Sequence, residues 1–304
     1  MAAASEQFIS EWSQPDRGLG LLRMAALYAD PDGLPDEETL DAIFLQVETG
    51  ALADTPHRAM WPELALGLMA PQPGTMIRVL RDSGALKAIL PEVAALFGVP
   101  AIADDPAEVD LGLHLIRTLN ETAKLGAPLE VRFAVLVMNV GKSDSPPEHL
   151  PVHYRHIERG GPRIEAICAR FGVPESCRDI AMLALAESER VHRVSTVRAG
   201  PIAVMLERLG AFDRPVRFRD LLLLCRCDFN AYERLIARAY EKAAILEAAL
   251  AACGGIDRED GPEASGDAAV LDRLRSARAG AIAQAFSSMR WQTASSDEAR
   301  GSHS

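Results

Sequence analysis

The strongest constraint on what this chain can fold into is a three-to-four-residue spacing of apolar side chains. It recurs segment after segment, with Gly or Pro at the breaks. Leu40, Ile43, Phe44 and Val47 fall at i, i+3, i+4 and i+7. Asp36, Glu37 and Glu38 would sit in the first turn of that helix, and Gly50 ends it. A second stripe, Leu111, Leu115, Thr118, Leu119 and Thr122, stops near Gly126. Ile164, Ile167, Cys168 and Phe171 lie between Pro162, read as a helix opener, and Gly172. Ile202, Met205, Leu206 and Leu209 lie between Pro201 and Gly210. Helices are also predicted over Gly18–Asp30, Trp61–Met69, Met76–Leu90 with a break at Gly84, Glu175–His192, Asp220–Asp228, Ala231–Ala252 and Ala268–Phe286. Pro91–Pro106 reads as a helix followed by a loop. The β-branched run Val131–Val140 suits a strand as well as a helix, but no partner strand is visible. It is therefore predicted as a buried central helix. With aromatics at only 5% and Ala and Leu dominant, the expected fold is all-α, a multi-helix array.

No run of eighteen apolar residues occurs, so no membrane partner is expected. The N-terminus lacks a basic stretch followed by an apolar one, which argues against a secretory signal. Cys168, Cys177, Cys225, Cys227 and Cys253 are odd in number and lack a disulfide framework, so reduced thiols and a cytoplasmic location are expected. The formal net charge of −11 disfavours generic nucleic-acid binding, which depends on cations displacing counterions, and no DNA partner is expected. Residues 254–267 are rich in Gly, Asp, Glu and Pro and read as a linker. Residues 268–304 read as a C-terminal helix followed by a disordered tail.

The chemistry-bearing stretch is Arg132-Phe-Ala-Val-Leu-Val-Met-Asn-Val-Gly-Lys142, with His114 on the preceding helix. It resembles the HD metallo-phosphohydrolase fold, in which a His-Asp dipeptide at a helix end, an upstream His and a downstream Asp hold a divalent ion that activates water. A narrower resemblance follows from Met76–Pro100, Leu111–Leu115, Arg132–Phe133, Gly141–Lys142, Val173–Pro174 and Asp228. Together with Leu22–Asp30, they are similar in order and spacing to bacterial CCA-adding tRNA nucleotidyltransferases with a C-terminal HD domain. The likeness covers about residues 13–250. It implies a neck-like region over 1–70 and a body with a degenerate HD-like domain over 71–253. It also implies a nucleotide-binding head preceding residue 1. No Gly-Gly motif followed by Asp-x-Asp lies near this N-terminus.

The departures from that pattern shape the functional expectation. The family's neck Glu-Asp-x-x-Arg is Ser13, Gln14 and Arg17 here, so the charge-assisted acceptor is replaced. The His-Asp dipeptide is Met138-Asn139, a poor donor pair for a hard or borderline dication. A second His-Asp pair aligns with Ser188-Glu189. The candidate remnant site is His114, Met138, Asn139, His153, His156, Ser188, His192 and Asp228, with no metal expected. The resemblance implies Mg²⁺ with ATP and CTP for the family and a transition metal for its HD domain, but no cofactor is expected here. His153-x-x-His156 could join a zinc site but lacks a Cys partner. His192 suits the end of a helix through the dipole alone. Arg17, Arg23 and Lys142 are candidate RNA or nucleotide contacts, although Lys142 lacks the spacing of a phosphate loop. Arg273, Arg275, Arg278 and Arg290 give the last helix a basic bias that suits either solvent or tRNA phosphates.

Three readings remain open. The first is a catalytically inactive tRNA- or RNA-binding scaffold, a headless paralogue of the CCA-adding enzymes. The second is a nucleotidyltransferase or HD-type phosphohydrolase that uses a separate head-domain protein or a non-standard site. The third is a protein-interaction module without RNA.

Overall fold

A computed structural model describes residues 17–29, 35–103, 108–196, 198–232, 239–256 and 268–301. Side chains of 268–270 and 288–301 are excluded from that description. Ser13, Gln14, most of the 254–267 linker and residues 302–304 lie outside it. The described chain is an all-α multi-helix array. Its helices are α1 (Arg17–Leu27), α2 (Glu37–Glu48), α3 (His57–Met69), α4 (Pro73–Asp82), α5 (Ala85–Ile89), α6 (Pro91–Ala94), α7 (Leu111–Lys124) and α8 (Leu129–Val137). They continue with α9 (His156–Phe171), α10 (Glu175–His192), α11 (Ala199–Arg208), α12 (Pro215–Asn230), α13 (Glu241–Ala252) and α14 (Ala268–Gly301). None of the described helices is long and apolar enough to cross a membrane.

The chain forms two compact units, one of residues 1–186 and 223–238, the other of 187–222 and 239–304. In the first unit, α8 is the centre: every residue from Val131 to Val137 is buried. The β-branched run is thus helical as far as Val137, because its side chains meet apolar neighbours on all sides; the expected helix to Val140 stops short, and Val140 opens a 3-10 turn. Helices α3 and α7 are in contact with it. Arg132, 5% exposed within this apolar surround, donates from Nε to the Ala127 carbonyl at 2.8 Å. Its Nη1 donates to the carbonyls of Leu68 at 2.8 Å and Ala70 at 3.0 Å, satisfying the C-terminal end of α3. Asp36 caps α2 by accepting the Thr39 N–H at 2.8 Å. Gly84, with φ +76°, supplies the left-handed residue that separates α4 from α5.

Four further expectations are corrected. A two-stranded antiparallel hairpin, β1 (Pro100–Ile102) and β2 (Glu108–Asp110), replaces the expected loop, with Ala101 opposite Val109. Both of those residues are buried, whereas Ile102 is exposed, which is the alternation of a short strand. Helix α9 begins at His156 rather than Pro162. Its early turns are held by hydrogen bonds from Arg159 and by close backbone contact at Gly160, and Pro162 is tolerated inside. Ala231 and Tyr232 are not helical, and the next described helix starts at Glu241, so Ala231–Ala252 is not one described helix; residues 233–238 lie outside the description. Helix α14 runs past Phe286 to Gly301, a stretch with no Pro and with Gly only at its last position.

The second unit is centred on α11, which contacts α13 and α14. Ile202, Ala203 and Leu206 are buried on α11, Leu246 and Ala249 on α13, and Ile282 and Phe286 on α14. All five cysteines are free and buried. Desolvation holds the thiols of Cys168 and Cys177 up at about 11 and that of Cys227 at about 12.

Candidate functional site

His114 lies on the buried face of α7, and Asp228 lies near the end of α12; both belong to the first unit. His114 Nε2 is 2.9 Å from Asp228 Oδ1, with the imidazole 3% and the carboxylate 14% exposed. The Tyr232 ring lies over the imidazole, centroid to centroid 4.4 Å with planes tilted by 35°. His114 Nδ1 is buried and has no hydrogen-bond partner among the described residues. An ionised Asp228 can only accept, so Nε2 carries the hydrogen of this bond. The carbonyl of His114 accepts from Thr118 Oγ1 at 2.9 Å, which ties the site to the next turn of α7.

The dipeptide position follows α8 directly. Met138 is buried, 6% exposed, and its backbone N–H donates to the Ala134 carbonyl. Asn139 is half-buried at φ −99°, ψ 0°, and precedes a 3-10 turn over Val140–Lys142. That turn lies directly against α9. A Cβ on Gly141 would collide with the His156 carbonyl oxygen and come within 2.7 Å of the Gly160 nitrogen, so glycine is required by close backbone approach. Arg159 Nε donates to the Gly141 carbonyl at 3.0 Å, and Arg163 Nη1 donates to the Val140 carbonyl at 2.8 Å. Arg163 also binds both oxygens of Asp144, and this hydrogen bonding holds that carboxyl below its ordinary range. Lys142 is half-buried and donates its backbone N–H to Asn139.

The other candidates are dispersed. His153 has both ring nitrogens engaged, Nδ1 with Ser145 Oγ at 2.8 Å and Nε2 with the Pro100 carbonyl at 2.9 Å. That use fastens the 145–153 loop to the hairpin and leaves no lone pair for a metal. His156 Nδ1 donates to the His153 carbonyl at 2.8 Å. Ser188 and His192 are assigned to the second unit, where the Tyr240 hydroxyl is 3.0 Å from His192 Nδ1. Beside Ser188, Glu189 is paired with Arg193 at 3.2 Å. Arg17 is exposed at the start of α1, and Arg23 pairs with Glu63 at 2.8 Å. On α14, Arg275 pairs with Glu207 at 2.6 Å. Arg278, expected on an open basic face, is instead buried over the Phe212 ring at 3.6 Å. Among the described residues no three His, Cys, Asp or Glu side chains come together as a metal-binding group.

Of the sequence candidates, then, His114 and Asp228 meet side chain to side chain. The sequence reading missed Tyr232, four residues beyond Asp228, and Tyr240, 48 residues beyond His192. It also missed the Arg159–Arg163 clamp, whose one local sign is the four-residue spacing on a helix.

In this all-helical chain a buried His thus meets an Asp from far along the sequence. No family model matches the chain. Curated relatives do. The multifunctional CCA protein of Dechloromonas aromatica is 38% identical over 271 residues, covering 89% of this chain and 65% of the relative. That of Burkholderia cenocepacia is 37% identical over 286 residues, covering 93% and 68%. That of Cupriavidus necator is 38% identical over 248 residues, covering 81% and 60%. The chain belongs to the family of multifunctional CCA proteins. It spans roughly two thirds of the length of these relatives.

Proposed function

We propose that this chain is a cytoplasmic tRNA-binding scaffold whose HD-type site performs no metal-dependent hydrolysis. The tRNA half of the reading is supported by relatives named for CCA over most of the chain. The inert half is supported by the donor set. A thioether and a carboxamide stand at Met138 and Asn139, where imidazole and carboxylate would hold an ion. The single observation that carries the inert half is that Met138-Asn139 pair; His114 and Asp228, which would be the remaining donors, lie 2.9 Å apart. The residues present do not fit a divalent ion, and no chemical step is assigned to one. The cytoplasmic location is supported by five free buried thiols.

The test uses the full chain. A gel shift with tRNA at low salt should show binding, and hydrolysis of bis(p-nitrophenyl) phosphate with Ni²⁺ or Mn²⁺ should not exceed metal alone. No shift at low salt would remove the tRNA half. Hydrolysis lost on Asp228→Ala would remove the inert half.

A further inference from the structure

We propose that a hollow in the second unit binds a nucleotide of an RNA strand, with its phosphates on guanidinium groups and its base on an apolar floor. The hollow has a volume of about 430 Å³ and lies where α10 ends and α11 begins. Its rim carries Arg190, Arg193 and Arg198, and its floor includes Val194, Ile202 and Met205. The size falls toward the lower end of the range of about 300–1,000 Å³ for small-molecule sites. This inference rests on the tRNA-binding reading and deepens it by placing one contact.

Three cations on one rim stand out in a chain with net charge −11. Arg198 is exposed and has no carboxylate within ion-pair distance among the described residues. Among the described residues Arg193 pairs with Glu189, at 3.2 Å, and is 76% exposed, so that pairing is weak in water. Arg190 donates to Glu187 at 2.9 Å and is 52% exposed. Glu187 also has Arg208 at 3.8 Å, so its buried charge keeps a partner if Arg190 turns to a ligand. Guanidinium forks match phosphate oxygens two at a time. The apolar lining of Val194, Ile202 and Met205 beneath them would take the face of a base or ribose.

The experiment is fluorescence anisotropy with tRNA on the full chain, comparing wild type with Arg193→Glu/Arg198→Glu and with Arg198→Glu alone, folding being checked by circular dichroism. At low salt the double variant should bind at least about tenfold more weakly, and the slope of log Kd against log salt should fall by about 1.5, for two lost phosphate contacts. The single variant, which breaks no ion pair, should show about half that change in slope. Wild type binding with both variants unchanged overturns the hollow and leaves the tRNA reading standing. No wild-type binding overturns both. Competition by polyglutamate as effective as that by RNA, charge for charge, also overturns the hollow as a nucleotide site.

Discussion

His114 Nε2 and Asp228 Oδ1 lie 2.9 Å apart although 114 positions separate them in the chain. This hydrogen bond fastens α12 to α7 inside the first unit. A buried carboxylate–imidazole bond is costly to break from one side, because the remaining group is left desolvated. Asp228→Ala should therefore destabilise the chain by about 2–4 kcal/mol, and Asp228→Asn, which keeps an acceptor, by about half as much. Urea denaturation followed by circular dichroism checks both. Equal and negligible losses would mean that the bond contributes nothing to the fold.

If donor chemistry at Met138 and Asn139 is what keeps the site inert, restoring it should restore ion binding. Met138→His with Asn139→Asp should make thermal stability respond to Ni²⁺ or Mn²⁺, by about 2.7 kcal/mol at a hundredfold excess over Kd. Wild type should not respond, and adding EDTA to wild type should leave its melting temperature unchanged. A double variant that folds but ignores both metals would show that His114 and Asp228 no longer stand where an ion needs them.

How much of this was legible depended on the range of each interaction. Val131–Val140 was readable as a buried helix because no partner strand was in sight, but its end at Val137, before a 3-10 turn, was not. The hairpin was not, because three-residue strands beginning at Pro100 are too short for alternation to register. Pro162 misled because a proline suits a helix's first turn, while the residues that extend α9 back to His156 act through contacts with Gly141, distant in sequence. His114 and Asp228 emerged as a set only through family resemblance; no spacing links them. His153 read as a possible ligand because its partners, Ser145 and the Pro100 carbonyl, are invisible to a motif.

Glu92 offers a pH-dependent test. Burial raises its carboxyl, but the hydrogen bonds from Arg170, both 2.9 Å, together with the nearby positive charge, outweigh burial and leave it below its ordinary value of 4.5. A depressed carboxyl contributes stability that is present above its unfolded value and lost as pH falls through the folded one. Wild type should lose stability as pH drops below about 4.5, the ordinary carboxyl value, and Glu92→Gln should lose visibly less over the same interval. Urea midpoints at a series of pH values between neutral and 3 measure the difference. Parallel curves would show that the Arg170 pair is not coupled to folding.

Arg132 should be the most sensitive single position in the first unit. It is nearly fully buried, and its guanidinium serves three carbonyls, those of Ala127, Leu68 and Ala70. Arg132→Met would keep the apolar stem and strand all three acceptors without a donor in an apolar surround. The expected loss is about 3–5 kcal/mol, enough to unfold a marginal chain at 37 °C. Arg132→Lys should recover little, because one ammonium on a flexible stem cannot reproduce a planar fork that reaches two separate segments. The check is the urea midpoint of each variant against wild type. A lysine variant as stable as wild type would mean that charge at this depth, rather than the guanidinium geometry, holds the end of α3 to α8.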